Sequence, residues 1–269
     1  MDRTLFTPPM IETFRACRRA YQFAFVGTKD PAGEKTRTSA LIKRFLLRAL
    51  AEIHRGRVQN LPQIQKYLGQ HWPSERLCAE NDSDAQEKMI QAFRFVYRAL
   101  THYVAAPYKP RGGEMAGINL KVRARVPHSK VYLEDTLDLI IWHPEKRQLE
   151  LVDFHLHPLK PFDPAWPTTS LMVRYFLAQR LRSRWAFEKI VFTFCQLQSN
   201  GVAPVSIELD EAVFRLHWPE IVSTVNQMKS PEDFAPHRSE LCRRCQFLNE
   251  CVSMEKSEPE DRETVSLSA

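Results

Sequence analysis

The fold is decided by two neighbouring segments near the middle of the chain, VYLEDTLDLIIW (131–142) and QLELVDFH (148–155). Both are rich in β-branched and aliphatic residues, which favour strands, and the turn-forming sequence HPEK (143–146) separates them. Each segment carries an aspartate among apolar residues, Asp138 in the first and Asp153 in the second. The sequence therefore predicts two adjacent strands of a sheet, with a carboxylate on each.

Further strands and helices are predicted after and before this pair. KVRARV (121–126) alternates strictly between basic and apolar residues, as a strand with one exposed face does. The segments that follow the pair are a helix at 163–187, strands at 189–197 and 202–209, and a helix that runs from the cap residue Asp210 to Met228. This order predicts an α/β fold with a central mixed sheet flanked by helices.

A helical section is predicted ahead of the sheet. Apolar residues recur with helical spacing at 34–54, 61–71 and 84–104, so that 36–105 precedes any strand. We predict a single domain over 1–252. The polar sequence 253–269 has no apolar period and is predicted to be a disordered tail.

Four cysteines are candidates for a metal centre. The array LCRRCQFLNEC (241–251) has C-x2-C-x5-C spacing, and two thiolates two residues apart can reach one metal. A helix predicted to start at Thr7-Pro8-Pro9 turns Cys17 inward with its aromatic residues, so Cys17 is either a core residue or the missing fourth ligand. We predict that the remaining cysteines, Cys78 and Cys195, are not ligands. Zinc is less expected than iron, because zinc sites more often use paired knuckles.

Composition bounds the location and the partners. The chain has 269 residues, 43% apolar and 26% charged, with no apolar run of membrane-spanning length and no signal-peptide pattern. A cytoplasmic location without membrane contact is therefore expected. The net charge of +6 favours nucleic acid as a partner, although such a charge also serves solubility.

The paired aspartates indicate a hard metal ion. Two carboxylates buried on adjacent strands repel each other unless a cation lies between them. Asp138 and Asp153 therefore predict bound Mg²⁺ or Mn²⁺, which could activate water and neutralise a scissile phosphate. The alternative is that one of them is only a cap or turn residue, and Glu134 and Asp135 could likewise face solvent. His157 extends Asp153 and His155 into a D-x-H-x-H run on one strand face, which is not a known zinc spacing.

Taken together, these motifs resemble the PD-(D/E)XK nuclease superfamily, in the RecB-like branch that carries a 4Fe–4S cluster. That branch includes AddB-type recombination nucleases and CRISPR-adaptation exonucleases. FRACRRAYQF (14–23) is similar to the family's N-terminal cysteine segment, and the C-terminal array matches its ligand spacing. The resemblance implies a restriction-endonuclease-like core and a cluster held by four thiolates, those of Cys17, Cys242, Cys245 and Cys251.

The resemblance also implies an activity. Asp138 falls where the family has its first metal-binding aspartate, and Asp153 where it has the acid of the D-x-K motif. The implied function is metal-dependent hydrolysis of phosphodiesters in DNA, on single strands or duplex ends. The Phe154 carbonyl and His155 would complete the ion site, and Arg174 and Tyr175 would lie beside the substrate path. A partner protein of a repair or defence complex is also implied.

The sequence departs from the family pattern at the catalytic lysine. His155 stands in its place, Asp135 replaces a glycine and Leu171 replaces a glutamine. The family's early-helix histidine has no match near Lys43, so one hypothesis is that Lys43 and His155 have exchanged roles. The alternative is a non-catalytic nucleic-acid-binding or complex-assembly protein on the same scaffold.

Overall fold

The computed structural model describes residues 4–26, 34–73, 83–110, 112–156, 167–198, 201–229 and 234–257, with the backbone alone at 34–40, 83–85, 201–202 and 253–257. His157 and Cys78 lie outside these ranges. The strands are β1 (Thr4–Phe6), β2 (Glu114–Arg125), β3 (Val131–His143), β4 (Gln148–His155), β5 (Lys189–Gln198) and β6 (Gly201–Glu208). The α-helices are α1 (Pro8–Ala16), α2 (Arg18–Tyr21), α3 (Glu34–His54), α4 (Leu61–His71), α5 (Ser83–Ala105), α6 (Thr169–Ala178), α7 (Glu211–Lys229) and α8 (Leu248–Ser257).

The six strands form one mixed sheet, which confirms the predicted α/β class. Its order is β1-β3-β4-β5-β6, with β2 paired to β3 off this path. β1 runs parallel to β3 and β4 parallel to β5, while the other neighbours are antiparallel. Since β2 pairs with nearly the whole length of β3, β1 and β4 must share the opposite edge of β3.

Helices cover both faces of the sheet. One face packs against α1, α6 and α7 through residues such as Ile11, Met172 and Val225. The other face packs against α3, α4 and α5, where Leu46 and Tyr103 are almost fully buried. Burial of apolar surface on both faces is the main favourable contribution to stability, as in other layered domains.

Several predicted elements are confirmed with their bounds. The helix at 34–54 and the strand at 148–155 are α3 and β4. The exposed basic face predicted for 121–126 is also observed, because Lys121, Arg123 and Arg125 are exposed while their neighbours are buried.

Other elements differ from the prediction. The helix predicted at 163–187 begins only at Thr169, after the cap residue Thr168, and gives way to a 3-10 turn at Gln179–Ser183. Residues 163–166 lie outside the described ranges.

The N-terminal helix and the tail also differ. The helix breaks at Cys17, whose backbone is extended, and resumes as α2 and a π-helical turn at Gln22–Val26. β1 was not predicted. α8 continues to Ser257, into the segment 253–269 that was expected to be disordered, and 258–269 lies outside the described residues.

Candidate functional site

The candidate site lies where β4 separates from β3. β1 pairs with β3 at Val131–Leu133 and β4 pairs with it from Leu139 onward, so neither strand pairs with 134–138. In this register the next pair would be Asp138 and Asp153. Instead, Oδ2 of Asp138 accepts a hydrogen bond of 3.0 Å from the N–H of Phe154. The two carboxyl groups therefore meet at the point where the ladder opens.

Asp153 is surrounded by nitrogen atoms. Its Oδ2 lies 2.7 Å from Nη1 of Arg174 and 2.8 Å from Nε2 of His155. Its Oδ1 lies 3.8 Å from Nζ of Lys43 and has no hydrogen-bond partner among the described residues. A buried acceptor in this state usually marks a missing water, ion or ligand.

The two aspartates titrate as a coupled pair. Burial, followed by the neighbouring Asp153 carboxylate, raises the pKa of Asp138 well above 3.8. Burial alone would also raise the pKa of Asp153, but Arg174 and then His155 outweigh it and hold that pKa well below 3.8. The first negative charge of the pair therefore resides on Asp153.

Asp153 opens onto a cleft of about 780 Å³. Its polar wall is formed by Asp153 with Lys43, Asp135, His155 and Arg174. Its apolar wall is formed by the side chains of Pro8, Pro9, Leu171, Phe194, Val205 and Ile207. Asp138 lies behind the cleft, at a cavity of about 10 Å³ shared with Asp153 and Arg174. The cleft thus combines charged groups with a surface able to contact an apolar ring.

The predicted site residues are distributed unevenly. Lys43, from α3, reaches the same cleft as Asp153 and His155, which is the arrangement that the exchange hypothesis requires. For Phe154 the contact observed is through its N–H to Asp138, and its side chain is buried on the other face of the sheet. Tyr175, predicted to lie beside the substrate path, does not line this cleft: its side chain is 3% exposed and its ring stacks on Phe214.

The contacts of Arg174 were not predicted. Its Nε donates to Oδ2 of Asp135 at 2.7 Å while Nη1 contacts Asp153, so one guanidinium joins two strands. A sign was present in the sequence: Arg174 is the only charged residue of the apolar segment LMVRYFLA (171–178). Nor does Glu134 face solvent, because it is buried under ion pairs with Lys121 and Arg123.

A second buried acid lies on the other face of β4. Oε1 of Glu150 accepts hydrogen bonds from Tyr108, at 2.7 Å, and from Thr193, and Oε2 lies 2.8 Å from Nε2 of His143. Burial, and then the hydrogen bond to Glu150, raise the pKa of Tyr108, so its hydroxyl remains a donor. Both oxygens of Glu150 are therefore satisfied.

The four predicted cysteine ligands line one cavity of about 360 Å³. They are Cys17, Cys242, Cys245 and Cys251, and the rings of Phe23 and Phe247 also line this cavity. The N–H of His237 donates to Sγ of Cys17 and the N–H of Ser239 to Sγ of Cys242, each at 3.4 Å. No set of three ligand-type side chains among the described residues converges at the distances of a single metal ion. Cys195, which was predicted not to be a ligand, is fully buried in the core and does not line this cavity.

Fold and site define an α/β protein with a carboxylate-lined cleft at the opening between two strands. No protein-family model matches the sequence, and no curated protein matches it. Among solved structures, the chain is similar to one described as "Crystal structure of SSO0001", with 14% sequence identity and a TM-score of 0.35 over 81% of this chain and 97% of that chain. None of the helices in the described ranges is long and apolar enough to cross a membrane.

Proposed function

We propose that the cleft hydrolyses phosphodiester bonds in DNA with the help of a divalent metal ion. The observation that carries the proposal is the convergence of Asp138, Asp153 and Lys43 at the opening between β3 and β4. Two acids with opposite pKa shifts beside a cation, at a cleft, are a typical feature of catalytic sites.

The acids suit a hard cation. Asp153 presents a buried oxygen without a hydrogen bond from any described residue, and Asp138 stands beside it. These two carboxylates, with the Phe154 carbonyl, are the oxygen ligands that Mg²⁺ and Mn²⁺ prefer. Such an ion, when bound, would activate water and offset the charge of the phosphate.

The basic groups would act on the substrate. Lys43 is half-exposed at the cleft, so its ammonium can approach a phosphate oxygen and stabilise the charge that develops there. This is the role that the family's lysine has, here supplied from a different element. His155 stands at the same wall and would hydrogen-bond to the phosphate or to the attacking water.

A cleavage assay with a matched variant tests this proposal. Labelled single-stranded and duplex DNA are incubated with wild-type protein and with Asp153→Asn, in Mg²⁺, in Mn²⁺ and in chelator. We expect metal-dependent cleavage by the wild type and a loss of about a hundredfold or more in the variant. Equal, negligible cleavage by both proteins in every condition would rule out the hydrolase.

One observation favours a second candidate function, a non-catalytic nucleic-acid-binding protein. Arg174 already neutralises Asp135 and Asp153, and the lysine of the D-x-K motif is absent. In that case Lys43 and Arg174 would bind a phosphate that is never cleaved. DNA affinity that survives Asp153→Asn, without cleavage by the wild type, would select this function.

We further propose that the four cysteines hold a 4Fe–4S cluster with a structural role. Four thiols around one cavity, two of them receiving backbone N–H groups, suit such a cluster. Since Cys17 and the C-terminal array are far apart in sequence, the cluster would join the two ends of the domain.

The cluster is tested by spectroscopy on anaerobically purified protein. The wild type should be brown, and Cys17→Ser should lose both the visible absorbance and thermal stability, because metal-binding energy contributes to folding. Cys195→Ser, in the core and away from the cavity, is the control that should keep the colour. A colourless, zinc-loaded wild type would contradict the iron–sulfur assignment.

A further inference from the structure

The guanidinium of Arg174 forms ion pairs with two acids of the cleft. It bridges Asp135 on β3 and Asp153 on β4, with both N···O distances at 2.7 Å. The side chain is only 15% exposed. Burial alone would disfavour the charged form, yet Asp153, Asp135 and then Asp138 raise the pKa of Arg174. The protein therefore supplies its own cation at the acids where the proposed function needs a metal ion.

Asp153 has little capacity left to bind a metal ion. Oδ2 of Asp153 is occupied by Arg174 and by the imidazole of His155, which leaves Oδ1 as the open oxygen. That oxygen already lies near the Lys43 ammonium. A divalent ion binding there would be held between two cations at short range, where like charges repel strongly. The guanidinium and the ion therefore compete for the carboxylate of Asp153.

A phosphate could move the guanidinium. Arg174 lines the cleft, so its donors lie at the boundary between the acids and the space that a substrate would occupy. A guanidinium pairs with a phosphate as well as with a carboxylate, through two parallel hydrogen bonds. Nucleic acid in the cleft would thus offer Arg174 an alternative anion and release the acids.

We propose that Arg174 and a divalent ion are alternative partners of the Asp153 carboxylate, so that the cleft binds the ion tightly only when a substrate phosphate engages Arg174. This inference rests on the proposed function. It makes ion binding and nucleic-acid binding mutually reinforcing, since a coupling between two ligands acts equally in both directions.

Mn²⁺ binding tests the inference without measuring activity. The electron paramagnetic resonance signal of free Mn²⁺ is titrated with wild-type protein, alone and with a short single-stranded oligonucleotide whose phosphorothioate linkages resist hydrolysis. The same oligonucleotide without protein corrects for ions bound to DNA. We expect the oligonucleotide to tighten Mn²⁺ binding by about tenfold, within the usual range for coupled sites. Equal affinity in its presence and absence would overturn the inference.

A substitution then identifies the residue responsible. Arg174→Gln should bind Mn²⁺ alone about tenfold tighter than wild type, and gain less from the oligonucleotide. Arg215→Gln removes the same charge from an exposed pair with Glu211 and should behave like wild type. An Arg174→Gln affinity no higher than that of wild type would refute the competition.

Failure of the proposed function has a different signature. Two results would exclude both the metal site and this inference. One is that Mn²⁺ binds neither to the wild type nor to Arg174→Gln, even with the oligonucleotide. The other is that Mn²⁺ binds to Asp153→Asn as tightly as to the wild type. If Asp153→Asn abolishes ion binding while Arg174→Gln leaves it at the wild-type level, the ion site stands and only the competition is excluded. The wild-type titration needs no substitution, so equal Mn²⁺ affinity with and without the oligonucleotide refutes the inference even if Arg174→Gln does not fold.

Discussion

Glu150 and Asp153 are two buried acids on the same strand, and their surroundings differ sharply. Glu150 points to the core beneath α3 and α5, where Tyr108, Thr193 and His143 satisfy both of its oxygens. Asp153 points to the opposite face of the sheet. There, Oδ2 lies close to nitrogen atoms of Arg174 and His155, and Oδ1 has no hydrogen bond from the described residues. Only Asp153 lines the cleft.

The difference separates a structural acid from a functional one. A buried acid whose oxygens are both hydrogen-bonded, as those of Glu150 are, rigidifies a core, whereas an acid left with an open oxygen weakens it unless a ligand completes it. Glu150 should therefore matter for stability and Asp153 for activity. Each prediction below tests this difference between a structural acid and a functional site.

The largest expected effect is on stability at Glu150. Glu150→Ala leaves Tyr108 and His143 buried without their partner, and should lower the free energy of unfolding by about 3–5 kcal/mol. Urea unfolding followed by circular dichroism measures this loss. Asp153→Ala is the matched truncation and should cost less, about 1–2 kcal/mol, because Arg174 keeps its ion pair with Asp135. Similar losses in the two variants would remove the contrast.

Lys43 should show the reverse pattern. Lys43→Ala is expected to lower the cleavage rate by about a hundredfold, because it removes the ammonium nearest the open oxygen of Asp153. Its unfolding free energy should stay within about 1 kcal/mol of wild type, since the side chain is half-exposed. Arg44→Ala, next to it on an exposed position of α3, is the control that should retain activity. Full cleavage by Lys43→Ala would show that Lys43 has not replaced the family's lysine.

The smallest effect is a pH dependence at Asp138. A folded-state pKa raised above 3.8 means that the folded protein holds a proton that the unfolded chain has released, so stability falls as pH rises from 3.8 toward the folded pKa. Asp138→Asn keeps an acceptor for the Phe154 N–H and lacks this titration. Its stability should therefore improve relative to wild type with rising pH, by at most about 1.4 kcal/mol per pH unit. Parallel curves from pH 4 to 7 in urea unfolding would contradict the shift.

The elements that the sequence predicted correctly are those in which apolar residues recur regularly over a long segment. α3 and β4 were predicted with their bounds because apolar residues recur regularly over each. β1 was missed because three residues carry no period. The predicted extent of the helix after β4, residues 163–187, was wrong because the helical pattern was extended over the basic residues that follow Ala178.

The site was predicted only in part. Asp138 and Asp153 were identifiable as acids within apolar strands, and Lys43 as a candidate from the departure at His155. The pairing of Arg174 with Asp135 was not, because it depends on how α6 lies across β3, which local periodicity does not determine. The partners of Glu150 come from distant segments for the same reason.

The central claim is that Asp153 serves chemistry while Glu150 serves the fold. The most direct measurement compares metal-dependent DNA cleavage by Asp153→Asn and Glu150→Gln, each corrected to equal concentrations of folded protein. The account predicts a loss of about a hundredfold for Asp153→Asn and a rate within about threefold of wild type for Glu150→Gln. Equal rates for the two variants would contradict it.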